Sequence, residues 1–213
     1  MLTRPQLDQL VLDVELVLLS VVQAAALGTL AAAAAPILRA PTALQYVFLG
    51  TGLFFILSFW SVALIHAISF VSWPMDLIRY FFYFAIGLLE CLIFGQMDRP
   101  EAWFGYSVSC FALTLVLYVY DFGIIRRRRS AFEDSAPARA LYEHIRRRQL
   151  LEMRVLVPCG LAFNLVAALV VREYPELVFA LALLQLLFGA VFVISSARSF
   201  TERQRLISAC AAS

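Results

Sequence analysis

Residues 102–129 read AWFGYSVSCFALTLVLYVYDFGIIRRRR. Up to Arg126 this run carries one charged side chain, Asp121, and it then closes on four consecutive arginines. At 1.5 Å per residue a helix over 102–125 is about 36 Å long, enough to cross the ~30 Å hydrocarbon core of a bilayer. A segment this apolar belongs in lipid, and the arginine block marks where the chain leaves it.

The rest of the chain has the same character. It is 62% hydrophobic and 15% charged over 213 residues, whereas a water-soluble domain is nearer half apolar and a quarter charged. Apolar runs of roughly 20 residues recur at about 16–35, 44–70, 75–96, 102–125, 151–171 and 176–197, joined by mostly short connections. The expected fold class is all-α: one polytopic membrane helix bundle of six transmembrane helices over 1–213, with no second soluble domain. Thr3 and Gln6 have the spacing of a capping box, so the first helix should begin ahead of the membrane, with Asp8, Asp13 and Glu15 at the interface. Those acidic residues and the length of the run argue against a cleaved leader, and the first span is expected to be retained.

Every cationic residue of the chain is arginine, which codon supply alone would explain. Placing the 126–154 connection inside puts fourteen of the 17 arginines on the cytoplasmic side and leaves Arg39, Arg99 and Arg172 outside. Both termini are therefore expected to be cytoplasmic, in a bacterial inner membrane. Within that connection Ser135 and Pro137 suit a helix start, and Leu141, Tyr142, Ile145, Gln149 and Met153 form an edge at helical spacing. The fifth helix should start near Pro137 and the fourth should continue past its arginines, giving a short basic helical hairpin over about 126–150. Its arginines, Arg126, Arg127, Arg128, Arg129, Arg146, Arg147 and Arg148, are the candidates for docking anionic lipid headgroups or a protein partner, besides setting topology. Aromatic residues are not interleaved with them, which argues against nucleic acid.

Ionisable groups in lipid are costly and mark function more often than those in water. Glu90 is the sharpest candidate. It continues a seam of Asp76, Tyr80, Tyr83 and Gly87 at alternating steps of four and three, all on one face of the third helix. Gln23, Asn164 and Gln185 lie at comparable depth and could line a central cavity with it, or could serve as interhelical hydrogen-bond links. Nearer the cytoplasmic end His66, Asp76, Arg79 and Asp121 lie at one level as a candidate charge cluster, either a gate or an interfacial ion network. Asp121 continues the stripe Ser107, Thr114 and Tyr118, and is expected to pair with Arg79. Two sets spaced by four, Ala24-Gly28-Ala32 and Gly160-Asn164-Ala168, read as close helix contacts. The aromatic run Tyr80-Phe81-Phe82-Tyr83-Phe84 reads mainly as lipid-facing packing, and Trp73 and Trp103 as interface anchors.

No catalytic motif stands out. The only histidines, His66 and His144, lack metal-ligand spacing; no Gly-rich phosphate loop, G-x-S-x-G or H-E-x-x-H occurs; and a chain without lysine cannot form a retinal Schiff base. No metal or cofactor is indicated. The cysteines Cys91, Cys110, Cys159 and Cys210 read as small apolar residues, with a Cys91–Cys110 disulfide the less favoured alternative. Three classes of function fit these features. The first is a small transporter or channel, oligomeric, with Glu90 and its seam in the path. The second is a membrane subunit or scaffold of a larger complex, docked through the basic hairpin. The third, an insertase-like role, rests only on the topology of the last three helices. The first is favoured, on the strength of Glu90.

Overall fold

The Thr3 N–H donates to Gln6 Oε1 at 2.8 Å, closing the capping box at the start of the first helix. In the computed structural model, which describes residues 3–39, 42–70, 76–132 and 135–211 (side chains at 4–5, 65–70, 131 and 211 excepted), the described chain is 93% helical and has no strand. The helices are α1 (Arg4–Ile37), α2 (Ala43–Phe70), α3 (Leu77–Phe94), α4 (Pro100–Arg127), α5 (Ala136–Leu151), α6 (Val157–Glu173) and α7 (Val178–Ala211). Since α5 runs into α6 without a break, six helical segments are long and apolar enough to cross a membrane. The chain has the make-up of an integral membrane protein.

The connections are capped by the residues that flank them. Asp76 accepts from the Ile78 and Arg79 N–H groups at the start of α3, Pro100 opens α4, and Ser135 accepts from Ala138 N–H at the start of α5. α4 stops at Arg127 and gives way to a 3₁₀ turn, Arg129–Phe132, so it does not continue past the arginine block as expected. Four adjacent like charges repel one another along a continued helix, and the tighter turn lets the chain reverse.

The α5–α6 junction carries the main irregularity. Glu152–Leu156 widens into a π turn. Pro158 has no N–H for the Arg154 carbonyl and its ring crowds that carbonyl, and one wide turn relieves both. The turn also resets the face of the helix. Inward positions step from Leu141 through Ile145 and Gln149 to Glu152, then jump five residues to Val157 before resuming at Gly160 and Asn164.

The spans form a ring in the order α1, α3, α4, α6, α7, α2, thinnest between α6 and α7. Two glycines set the closest approaches. A Cβ at Gly87 of α3 would lie 2.2 Å from Val22 Cγ1 of α1, and one at Gly160 of α6 would lie 2.4 Å from Phe111 Cε1 of α4. Gly160 is thus a close helix contact, but Ala24, Gly28 and Ala32 are exposed, and nothing lies within 4 Å of a Cβ at Gly28. The inward face of α1 is instead Val11, Glu15, Leu19, Gln23, Ala26 and Leu30.

Away from the arginine-rich end the ring is filled by aromatic rings. Trp103, read from sequence as an interface anchor, is 0% exposed. Its ring lies 4.5 Å from that of Phe48, with Phe55 and Phe94 beyond. A buried indole needs a hydrogen-bond acceptor, and Gln185 supplies it at 2.8 Å. In the run 80–84, Tyr80, Phe82 and Tyr83 are buried while Phe81 and Phe84 face outward, a helical division rather than a uniformly lipid-facing one. All four cysteines are free thiols. Trp73 lies outside the described residues. At the arginine-rich end Ile125, Leu141, Tyr142 and Ile145 form a small separate core with Phe132, Leu206 and Cys210, holding α5 against the end of α7.

Candidate functional site

At the middle of the ring is a cavity of about 90 Å³, bordered by α2, α3, α4, α6 and α7. Phenylalanines dominate its wall, among them Phe55, Phe59, Phe111, Phe188 and Phe192, and among the described residues Glu90 contributes the one carboxylate. Glu90 is there because α3 presents Tyr80, Tyr83, Gly87 and Glu90 on a single buried face. It is 1% exposed, and Gln23 Nε2 of α1 donates to its Oε2 at 3.1 Å. Among the described residues no cationic side chain pairs with it. A bare carboxylate in such surroundings is costly, so the site favours a neutral state, reached by taking up a proton or a cation.

Of the two roles open to Gln23, Asn164 and Gln185, the contacts are those of interhelical hydrogen-bond links. Gln23 touches Glu90 but does not border the cavity. Asn164 and Gln185 belong to a second network: Gln185 accepts from the Trp103 indole and donates to Asn164 Oδ1, while Asn164 Nδ2 donates to the Gly160 carbonyl at 2.7 Å. Their amides hold the aromatic filling in place and do not border the cavity. Tyr83 borders the cavity. Tyr80 does not, and its buried hydroxyl has no partner among the described residues.

Toward the arginine-rich end two buried ion networks flank the cavity. In the first, Arg79 reaches Asp121 at 3.0 Å and Glu15 at 3.7 Å, and Tyr83 Oη donates to Glu15 Oε1 at 3.4 Å. Asp76 stays apart from this pair, accepting at 2.9 and 2.8 Å from the Tyr120 hydroxyl while it caps α3. His66 lies on α2 with its side chain outside the described residues. In the second network Glu152, aimed inward ahead of the π turn, is held by Arg148 and by the Tyr118 phenol. Arg148 also donates to Ser195 and Ser196 of α7. Tyr83 and Tyr118 each border the cavity on one side and contact a network on the other.

Arg148 was grouped by sequence with the docking arginines, but it is turned inward and its guanidinium is committed to Glu152 and two serines. The i, i+4 spacing to Glu152 and the hydroxyls on α7 give it a better-paired position than the surface does. Arg126, Arg127, Arg129 and Arg147 are exposed, and Arg146 pairs with Glu143 at 3.0 Å. Arg128 is half-buried, and desolvation, with Arg79 nearby, holds its guanidinium below the usual arginine range.

Sequence reasoning missed Glu15 and Glu152. Glu15 could have been found from its step of four to Leu19 and eight to Gln23, which puts both polar groups on one face of α1. Glu152 carried a similar signal, since it follows Gln149 by three and so continues the inward edge of Leu141, Ile145 and Gln149. Among the described residues no group of three His, Cys, Asp or Glu side chains is arranged to hold a metal ion.

Fold and site together define a class: a six-span helical bundle apolar enough for a membrane, enclosing an aromatic cavity with a buried carboxylate. No protein-family model matches the chain, and neither a curated protein nor a solved structure does.

Proposed function

We propose that this chain is a small membrane transporter in which a proton or a cation passes through the central cavity by way of Glu90. The observation that carries the reading is the position of Glu90: buried, bordering a cavity and, among the described residues, hydrogen-bonded to the Gln23 amide alone. Such a site loads one positive charge at a time, since that charge relieves the cost of the carboxylate. The aromatic filling around Trp103 bars the way on one side. On the other, Tyr83 and Tyr118 lead to the ion networks at the arginine-rich end, which in this reading faces the cytoplasm. Passage then requires the two barriers to open in turn.

The test is proton entry into proteoliposomes holding a trapped pH indicator, under an imposed pH gradient. Protein-dependent entry is expected, and Glu90→Gln should abolish it while melting as the parent does, because the amide keeps the shape and can still bond Gln23. Entry no faster than in empty liposomes, or equal in the variant, overturns passage of protons by way of Glu90. A second reading, a subunit of a larger membrane complex, draws on the exposed Arg126, Arg127 and Arg147. Native mass spectrometry of gently extracted protein separates the two, since a stoichiometric foreign subunit would favour the complex.

A further inference from the structure

The composition of the cavity wall restricts which cation it suits. Hard inorganic ions shed water only for a shell of several oxygen ligands. Apart from the two Glu90 oxygens, the wall offers only scattered hydroxyls, Ser58 and Thr114 among them, between aromatic rings. An anion would meet the carboxylate, and a neutral apolar solute would leave it unused. An alkylammonium fits both features: its charge answers Glu90, and its methyl groups, weakly hydrated, lie against ring faces, as in aromatic cages for quaternary ammonium ligands. The size agrees, since about 90 Å³ is room for roughly six waters at ~15 Å³ each.

We infer that the cavity binds a small alkylammonium ion at Glu90, between the phenylalanines of α2, α4 and α7, in exchange for the carboxyl proton. The exchange balances: the O–H bond of the neutral acid breaks, the proton leaves to water, and the carboxylate keeps the electron pair and holds the ammonium as an ion pair. Gln23 of α1 touches Glu90, and the cavity beside Glu90 is bordered by Phe55, Ser58 and Phe59 of α2, Tyr83 of α3, Cys110, Thr114 and Tyr118 of α4 and Phe188 of α7. None of these brings a cation to compete. As a substrate assignment the inference rests on the transport reading; as a binding site it does not.

Equilibrium dialysis of labelled tetramethylammonium against the protein in uncharged nanodiscs tests it. Saturable one-to-one binding is expected, weakening as pH falls and indifferent to excess tert-butanol, a neutral molecule of similar shape. Glu90→Gln should abolish it, and Phe59→Leu, which removes a ring without touching charge, should weaken it roughly tenfold. Both variants are required to melt as the parent does. No saturable binding, or binding unchanged in Glu90→Gln, overturns the inference. Binding without any flux in proteoliposomes would confirm the site and overturn only the carrier reading; proton flux without binding would do the reverse.

Discussion

Arg79 holds two buried carboxylates, Asp121 at 3.0 Å and Glu15 at 3.7 Å, tying together three helices toward the arginine-rich end. Removing one partner of a buried pair leaves uncompensated charge, a loss of about 3–5 kcal/mol. Arg79→Leu should therefore cost about that much in unfolding free energy measured in mild detergent. The triple variant Glu15→Gln, Arg79→Leu, Asp121→Asn, which leaves no charge to strand, should recover most of it; failure to recover would mean that the network is not held together by charge. Gln185 works on a smaller scale. Replacing it with Leu deprives the Trp103 indole of its acceptor and should cost about 1–3 kcal/mol, read in the same unfolding experiment.

At the scale of the helix, the contact of α4 with α6 turns on Gly160. A Cβ there would stand 2.4 Å from Phe111 Cε1, so Gly160→Ala must displace the ring, at a cost of about 1–3 kcal/mol. Phe111 also borders the cavity, which couples this packing to the site. Phe111→Leu combined with Gly160→Ala should restore stability relative to Gly160→Ala alone, and an additive double mutant would show that the two residues do not press on each other. The π turn shifts the inward face of the same helix between Glu152 and Val157, and so sets Asn164 toward Gln185.

For the molecule as a whole, the arginine distribution makes a prediction about sidedness. With the arginine-rich end in the cytoplasm, fluorescent-protein fusions to the C-terminus should be bright, and an alkaline phosphatase fused in the 97–99 connection should be active. The opposite pattern would reverse the orientation and with it the order of the two barriers. Neutralising Arg126, Arg127, Arg129 and Arg147, all exposed, should weaken adsorption to anionic vesicles roughly in proportion to the charges removed, at about 1 kcal/mol each. Orientation must be checked in the same variant, because these arginines also direct it.

The sequence by itself determined the helical class, the presence of six helices apolar and long enough to cross a membrane, and Glu90 as a buried carboxylate. In lipid each backbone polar group must be satisfied within its own helix, so composition and run length are enough. The seam from Tyr80 to Glu90 was legible for the same reason, a regular helix having one period. Which polar groups meet was decided by the tertiary structure alone. Trp103 with Gln185, Glu15 with Arg79, and the inward turn of Arg148 and Glu152 depend on how each helix is rotated about its axis. That rotation comes from glycine contacts such as Gly87 on Val22 and from one wide turn beside Pro158. Apolar surface that faces lipid and apolar surface that faces another helix are chemically alike, so the pattern of residues carries no mark of that rotation.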